Sequence, residues 1–333
     1  MRIGVTYDLR ADYLAEGMSE EESAEFDSEH TIAAICAALG NLGYEPDRIG
    51  NVKSLTRRLA AGERWDAVFN ICEGVKGYAR EAQVPALLEA FDIPTVFSDP
   101  LTLALTLDKA WAKRVARDQG VPTPAFALIE KPSDIATVDL AYPVFLKPVA
   151  EGSGKGVNER SRANNAAELR NTALALLAQF RQPVLVEEYL PGREFTVGIT
   201  GTGEDAEVLG IMEIVPTEKA VAHGYGYENK EHWEDKISLR MSTDAEAMAA
   251  GEVALQAWRA LRCRDGGRID TRSDRNGRPQ FIEVNPLAGL NPTHSDLCFI
   301  ARFKGLSYEE LIGKIMASFV RRHPELASRS AAA

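Results

Sequence analysis

Two short runs in the last third of the chain, Arg268-Ile269-Asp270-Thr271-Arg272-Ser273 and Pro279-Gln280-Phe281-Ile282-Glu283-Val284-Asn285, flank Asn276-Gly277. Asn-Gly between alternating apolar residues is the strongest short-range hairpin signal. A two-residue loop there sets Arg275 against Arg278, and therefore Asp270 against Glu283 and Arg268 against Asn285. Ile269 with Val284, and Thr271 with Ile282, then fill the other face. Two carboxylates opposed on one sheet face repel each other, so a positive charge belongs between them. Asp, Glu and Asn oxygens together suit Mg²⁺, which takes a few protein oxygens and completes its shell with phosphate. The alternative is a surface hairpin on which Arg268 neutralises Asp270.

A second candidate is Glu151-Gly152-Ser153-Gly154-Lys155-Gly156. Glycines at alternate positions let backbone N–H groups approach a phosphate, with Ser153 and Lys155 as further donors. Lys155 is followed by glycine and not by Ser or Thr, so this is not a Walker A loop, and no G-x-G-x-x-G follows a first strand. A plain hairpin turn is the more frequent explanation of a glycine run. Lys147, at the end of a predicted strand, favours phosphate, because a lysine point charge is a common phosphate partner. Lys109, among Leu105, Leu107 and Trp111, is either another phosphate lysine or a snorkelling one.

Such groups need elements to hold them. The first hundred residues alternate strand-like and helix-like runs: a strand from Ile3, Val5 and Tyr7, a helix over 31–42 ended by Gly43, a strand over 65–71, a helix over 85–91 and a short strand over 94–97. This pattern predicts an open α/β layer. The loop over 11–27 carries Glu16, Glu20, Glu21, Glu22, Glu25 and Asp27, and its composition reads as solvated surface. Ser98-Asp99-Pro100 starts a helix predicted to run to Gln119, with Gly120, Pro122 and Pro124 beyond it. A strand over 144–147, the glycine turn and another strand follow, then a helix over 166–180 and a strand over 184–188 ending in the hinge-like Tyr189-Leu190-Pro191-Gly192. Strands over 194–200 and 207–215, a polar stretch over 217–235 and a helix over 244–261 lead into the hairpin.

Composition narrows the function. Lys and Arg total 38 against 49 Asp and Glu, a net charge of −11, which argues against a broad nucleic-acid surface. Cys36, Cys72, Cys263 and Cys298 form no C-x-x-C pair, and no two histidines have zinc-site spacing on a helix. No apolar run reaches the length of a membrane helix, and the start turns polar too early for a signal peptide. The expectation is a cytoplasmic protein with no nucleic-acid or membrane partner.

Taken in order, the motifs resemble the ATP-grasp superfamily, and within it the D-alanine-D-alanine ligase family. They are Leu107-Asp108-Lys109; Pro143-Val144-Phe145-Leu146-Lys147-Pro148 with Glu151-Gly152-Ser153; Val186-Glu187-Glu188-Tyr189-Leu190 with Gly192-Arg193-Glu194; Gly267-Arg268-Ile269-Asp270; and Glu283-Val284-Asn285-Pro286 with Gly289 and His294-Ser295. The resemblance covers most of the chain from Asp99 onward. It implies an α/β fold, α+β in the nucleotide lobes, with an N-terminal Rossmann-like lobe (1–105), a central ATP-grasp lobe (106–188) and a C-terminal ATP-grasp lobe (189–333).

By that resemblance, Lys109 and Lys147 contact ATP phosphates, Glu187, Glu188, Tyr189 and Leu190 hold adenine, and Glu194 binds ribose. Asp270, Glu283 and Asn285 hold two Mg²⁺ ions, for which Mn²⁺ can substitute. Arg268, Ser153, Gly289 and Ser295 complete the catalytic set, with Arg268 offsetting charge and Gly289 offering a backbone N–H. Lys230 resembles the lysine of a loop that closes over ATP. The implied reaction is carboxylate activation: an acyl phosphate forms, and an amine then displaces phosphate. Substrates would be amino acids or short peptides, D-alanine among them. Ligases of this family are often homodimers joined through the N-terminal lobe.

The amino-acid half departs from the family pattern. Tyr7-Asp8-Leu9-Arg10 and the acidic loop replace the family's Gly-Gly-Ser segment, and Asn70-Ile71-Cys72-Glu73-Gly74 replaces its His-Gly segment. Glu25, Asp27 or Glu29 could replace the family's glutamate, and Glu73 is the acid kept in the second segment, which makes Glu25, Asp27 and Glu73 the leading candidates for a substrate amine. Glu231 stands after Lys230 where the family has tyrosine, with Tyr225 and Tyr227 upstream. The competing readings are a silent ATP-binding protein and a phosphotransferase on the same fold.

Overall fold

In the computed structural model, residues 1–217 and 236–326 are described. Lys230, Tyr225, Tyr227 and Glu231 lie outside them. β1 (Arg2–Tyr7) buries Ile3 and Val5 completely and pairs in parallel with β2 (Glu45–Gly50) and β3 (Ala67–Ile71). Parallel pairing needs long crossovers, supplied by α1 (Arg10–Ala15), α2 (Glu29–Asn41), α3 (Val52–Ala60) and α4 (Gln83–Glu89), before β4 (Thr95–Val96) closes the order β2-β1-β3-β4. β2 carries no apolar alternation, since as an edge strand it buries only Ile49. The signal for α3 is Asn51, whose side chain accepts the Lys53 and Ser54 N–H groups.

The helix predicted to run unbroken to Gln119 is two helices, α5 (Pro100–Leu107) and α6 (Lys109–Asp118). Asp108 leaves helical geometry (φ −83°, ψ 103°), and its carboxylate caps α6 by accepting the Trp111 N–H at 2.9 Å. The local capping bond outcompetes helix continuation. As a result Lys109 stands at the first turn of α6.

The middle sheet is antiparallel, in the order β5-β8-β6-β7: β5 (Phe126–Ile129), β6 (Val144–Pro148), β7 (Arg162–Ala163) and β8 (Val184–Glu188), covered by α7 (Ala166–Phe180). The strand expected directly after the glycine run does not form. Ser153, Gly154 and Gly156 all have positive φ (51°, 71° and 76°), and a capping box between Asn158 and Ser161 closes a 3-10 turn before β7.

The third sheet is also antiparallel: β9 (Glu194–Thr200), β10 (Glu207–Pro216), β11 (Ile237–Met241), β12 (Gly266–Ser273) and β13 (Pro279–Asn285), in the order β11-β10-β9-β12-β13. α8 (Ala245–Ala260) lays a face of small residues, Ala247, Ala250, Gly251, Ala254 and Ala257, against it, with Trp258 fully buried. α9 (Asp296–Phe303) and α10 (Tyr308–Arg322) share one core with the first sheet, where Ile312, Ile315 and Phe319 pack in the cluster containing Ile3, Val5 and Phe69.

Candidate active site

The hairpin places Arg268 opposite Asn285, Ile269 opposite Val284 and Asp270 opposite Glu283, but nearer the turn the pairing differs from the sequence expectation. Thr271 faces Phe281, not Ile282, and the loop has three residues. Asp274 N–H donates to Arg278 O at 2.9 Å, Gly277 N–H donates to Asp274 O at 3.1 Å, and Gly277 has φ 73°. The Asp274 carboxylate accepts the Asn276 and Arg278 N–H groups, which stabilises this wider loop. The extra loop residue is compensated by a bulge at Ile282, and the Asp270–Glu283 pair survives. Bulges re-aim side chains. Phe281 becomes fully buried, while Ile282 and Glu283 both line a cleft between the second and third sheets.

That cleft, a cavity of about 110 Å³, is lined by Lys109, Lys147, Glu187, Glu188, Tyr189, Leu190, Glu194, Asp270 and Glu283 among others. A chain of ion pairs runs through it. Glu187 lies 2.6 Å from Lys113 and 3.0 Å from Lys147; Glu283 lies 3.6 Å from Lys109 and 3.9 Å from Lys147. Lys109 Nζ also donates to Glu151 O at 2.5 Å. Burial pushes the Glu187 carboxyl up, but the two lysines outweigh it and hold its pKa below the usual range. Burial pulls the Lys113 ammonium down to about 8 even though Glu187 opposes the shift. Lys113 belongs to no motif; its only signal is a charge on the buried Ala110, Ala112 and Ala116 face of α6, one turn past Lys109. At the hinge, Arg162 and Arg272 lie 4.6 and 5.5 Å from the Tyr189 ring centre, and Arg272 pairs with Glu194 at 3.4 Å.

A second chamber of about 420 Å³ lies between the first and third sheets and meets the first at Lys109, Glu151 and Glu283, which line both. It brings together Ser153, Arg268, Asn285, Gly289, Ser295, Glu25, Asp27 and Glu73. Every sequence-predicted site residue among those described therefore lines one chamber or the other. Arg268 Nη1 is 2.5 Å from Asp270 Oδ2, and Arg268 is 3.7 Å from Asp296. Thr196 Oγ1 donates to Asp270 Oδ1 at 2.8 Å, and Asn285 Nδ2 to Asp270 Oδ2 at 3.4 Å. Ser295 Oγ accepts the Asn291 N–H at 2.9 Å, and a Cβ on Gly289 would stand 2.8 Å from that oxygen and displace it.

Glu16, Glu20, Glu21 and Glu22 of the acidic loop are exposed, as its composition suggests, but Glu25 and Asp27 at its end are not. Tyr13 and Phe26 are buried with ring centres 4.6 Å apart, and they turn the loop inward. The Glu25 carboxylate accepts the Gly152 N–H at 2.6 Å and lies 3.3 Å from Lys155 and 3.5 Å from Arg80. Its partners are thus the glycine-rich loop and two cations. Glu81, which carries no motif, joins the chamber because the turn after Gly74 folds it back, and Arg80 stands just outside the lining.

The family model described as D-ala D-ala ligase C-terminus matches residues 115–317. The chain belongs to the D-alanine–D-alanine ligase family. It is 34% identical over 270 residues to the D-alanine–D-alanine ligase of Bordetella petrii, covering 80% of this chain and 78% of that protein. It is also 34% identical over 271 residues to an uncharacterized protein of Sinorhizobium fredii, covering 77% and 75%. The solved D-alanine–D-alanine ligase from Bacillus anthracis complexed with ATP shares the fold, with a TM-score of 0.71 at 22% identity over 98% of this chain and 99% of that one. This family member has the ATP-grasp fold and is an ATP-dependent, peptide bond-forming ligase. No helix among the described residues is long and apolar enough to cross a membrane.

Proposed function

We propose that this ligase joins amino acids or short peptides through an acyl phosphate, with ATP in the smaller chamber and the amino-acid substrates in the larger. The reading rests on one observation above the rest: the two chambers meet at Lys109, Glu151 and Glu283, the place where a γ-phosphate and a substrate carboxylate would meet. Lys109 and Lys147 hold the phosphates there, Glu187 keeps Lys147 charged and in place, Glu188, Tyr189 and Leu190 border the adenine, and Glu194 takes the ribose.

Asp270, Glu283 and Asn285 are the residues that would hold Mg²⁺, as one or two ions, with Mn²⁺ as a substitute. Their oxygens are hard donors that suit it, and no three His, Cys, Asp or Glu groups among the described residues converge into a complete site. Phosphate oxygens would therefore complete the shell. Bound there, the ion supplies charge neutralisation on the phosphates.

In the first step a substrate carboxylate oxygen attacks the γ-phosphorus and the bond to ADP breaks. In the second an amine nitrogen attacks the acyl carbon, phosphate leaves and the amine gives up a proton. Arg268 and the lysines offset the charge that grows on the transferring oxygens. Gly289 N–H, Ser153 and Ser295 orient the acyl group. Water would destroy the acyl phosphate, so the reaction requires that water be kept from it. The test is hydroxylamine trapping: with ATP, Mg²⁺ and an amino-acid panel, a hydroxamate and stoichiometric ADP are expected. ADP release that depends on no carboxylate would count against the reading.

A further inference from the structure

Seven carboxylates but only three arginine or lysine side chains line the larger chamber, and the acids divide into two groups. Glu25 and Glu151 are held by Lys155 and Arg80 from outside the lining, Glu283 by Lys109 and Asp296 by Arg268. Arg10 is spent on Glu20 at 2.7 Å. Asp27, Glu73 and Glu81 remain. Among the described residues, Asp27 has the Thr31 hydroxyl but no cation, and the Glu73 and Glu81 carboxylates make no hydrogen bond or close ion pair, with Arg80 facing both and Lys109 facing Glu81 at longer range. All three are recessed inside the protein, where an uncompensated carboxylate is costly.

The wall that carries them is built. Gly74 N–H donates to Asp8 Oδ2 at 2.9 Å, and the other oxygen of Asp8 accepts the Tyr13 hydroxyl. Gly74 has φ +72°, and a Cβ there would stand 2.5 Å from the Arg80 carbonyl oxygen, which pins Glu73 beside Glu81. A metal ion does not explain the cluster, because no three acids among the described residues converge on one point. Separated carboxylates call for separated positive charges on one ligand. The chamber volume of about 420 Å³ falls within the range of small-molecule pockets, roughly 300–1,000 Å³, so a side chain longer than a methyl group fits.

We propose that the larger chamber selects an amino acid with a second cationic nitrogen, a diamino acid, whose ammonium groups sit against Asp27, Glu73 and Glu81. The assignment rests on the ligase reading of the same site. Burial, the largest influence on each of the three carboxyls, raises their pKa, and the pull of Arg80 on Glu73 and Glu81 and of Lys109 on Glu81 does not outweigh it.

The experiment compares lysine, ornithine and 2,3-diaminopropionate, in both chiralities, with norleucine, norvaline and alanine. Each is assayed for ATP- and Mg²⁺-dependent phosphate release and, separately, for binding by calorimetry without nucleotide. A diamino acid is expected to exceed its neutral isostere by about tenfold or more in kcat/KM and in affinity, the scale of one good charge-assisted contact. Glu73→Gln and Glu81→Gln should each raise KM for the diamino acid about tenfold and leave KM for ATP nearly unchanged. Both variants should melt at or above wild type, since an unpaired buried charge is removed. Phosphate release with alanine at least as good as with diamino acids overturns the proposal and leaves the ligase standing. Preferential binding of diamino acids with no phosphate release supports the chamber assignment and sinks the ligase reading.

Discussion

The Glu25 carboxylate accepts the Gly152 N–H at 2.6 Å across 127 residues of chain, so the acidic loop that follows β1 clasps the glycine-rich loop that follows β6. Burial pushes the Glu25 carboxyl up, yet Lys155 and Arg80 outweigh it and hold its pKa below the usual range. On the proposed placement of ATP, Glu25 would act on it through the loop it holds. Glu25→Ala should raise KM for ATP about tenfold, the scale of one charge-assisted hydrogen bond, with less effect on KM for the amino acid. Steady-state kinetics that show the reverse split would return Glu25 to amine recognition.

Lys113 is fully buried against Glu187. Lys113→Met leaves half of a buried carboxylate uncompensated and should cost about 3–5 kcal/mol in urea unfolding. Replacing both partners, Lys113→Met with Glu187→Leu, should recover part of that loss. A single variant as stable as wild type would show that Lys147 alone satisfies Glu187.

Asp270→Asn keeps the size and hydrogen-bonding capacity of the side chain but removes its charge beside Arg268. It should lower kcat by about 10²–10³-fold, the range seen when a group stabilising transition-state charge is lost, while thermal melting stays close to wild type. Chelation by EDTA should stop phosphate release, and Mg²⁺ or Mn²⁺ should restore it. Full activity after chelation would exclude the metal role given to Asp270, Glu283 and Asn285.

Burial, opposed by Arg80 and reinforced by Glu25, pushes the Glu81 carboxyl up to about 7. Lys109 also faces it and lowers it, and Glu73 is its acidic neighbour. Between its unfolded value of about 4.3 and 7, the folded chain keeps a proton that the unfolded chain has released, so this group makes stability fall with rising pH across that window and contributes no further change above it. Glu81→Gln removes the effect. Its melting temperature relative to wild type should climb between about pH 5 and about pH 8, and a difference independent of pH would refute the shift.

The sequence by itself was enough for what depends on local chemistry and order. Period-two alternation and the Asn-Gly turn placed Asp270 opposite Glu283, and five motifs in series carried the resemblance to the ligase family. Even there the turn held one residue more than expected, and the bulge at Ile282 that absorbed it was invisible, because a bulge is decided by which side chain the neighbouring sheet can bury; Phe281 won that place. The break at Asp108 was likewise a contest between a capping bond and helix continuation. Lys113, Arg80 and Glu81 had no motif to announce them. Only tertiary structure could tell which acids are paired and which are bare, since an ion pair such as Glu25 with Lys155 joins residues far apart in the chain. Composition counts charges, but burial and distance decide which of them cancel, and that difference separates the acids that brace the glycine-rich loop from Asp27, Glu73 and Glu81.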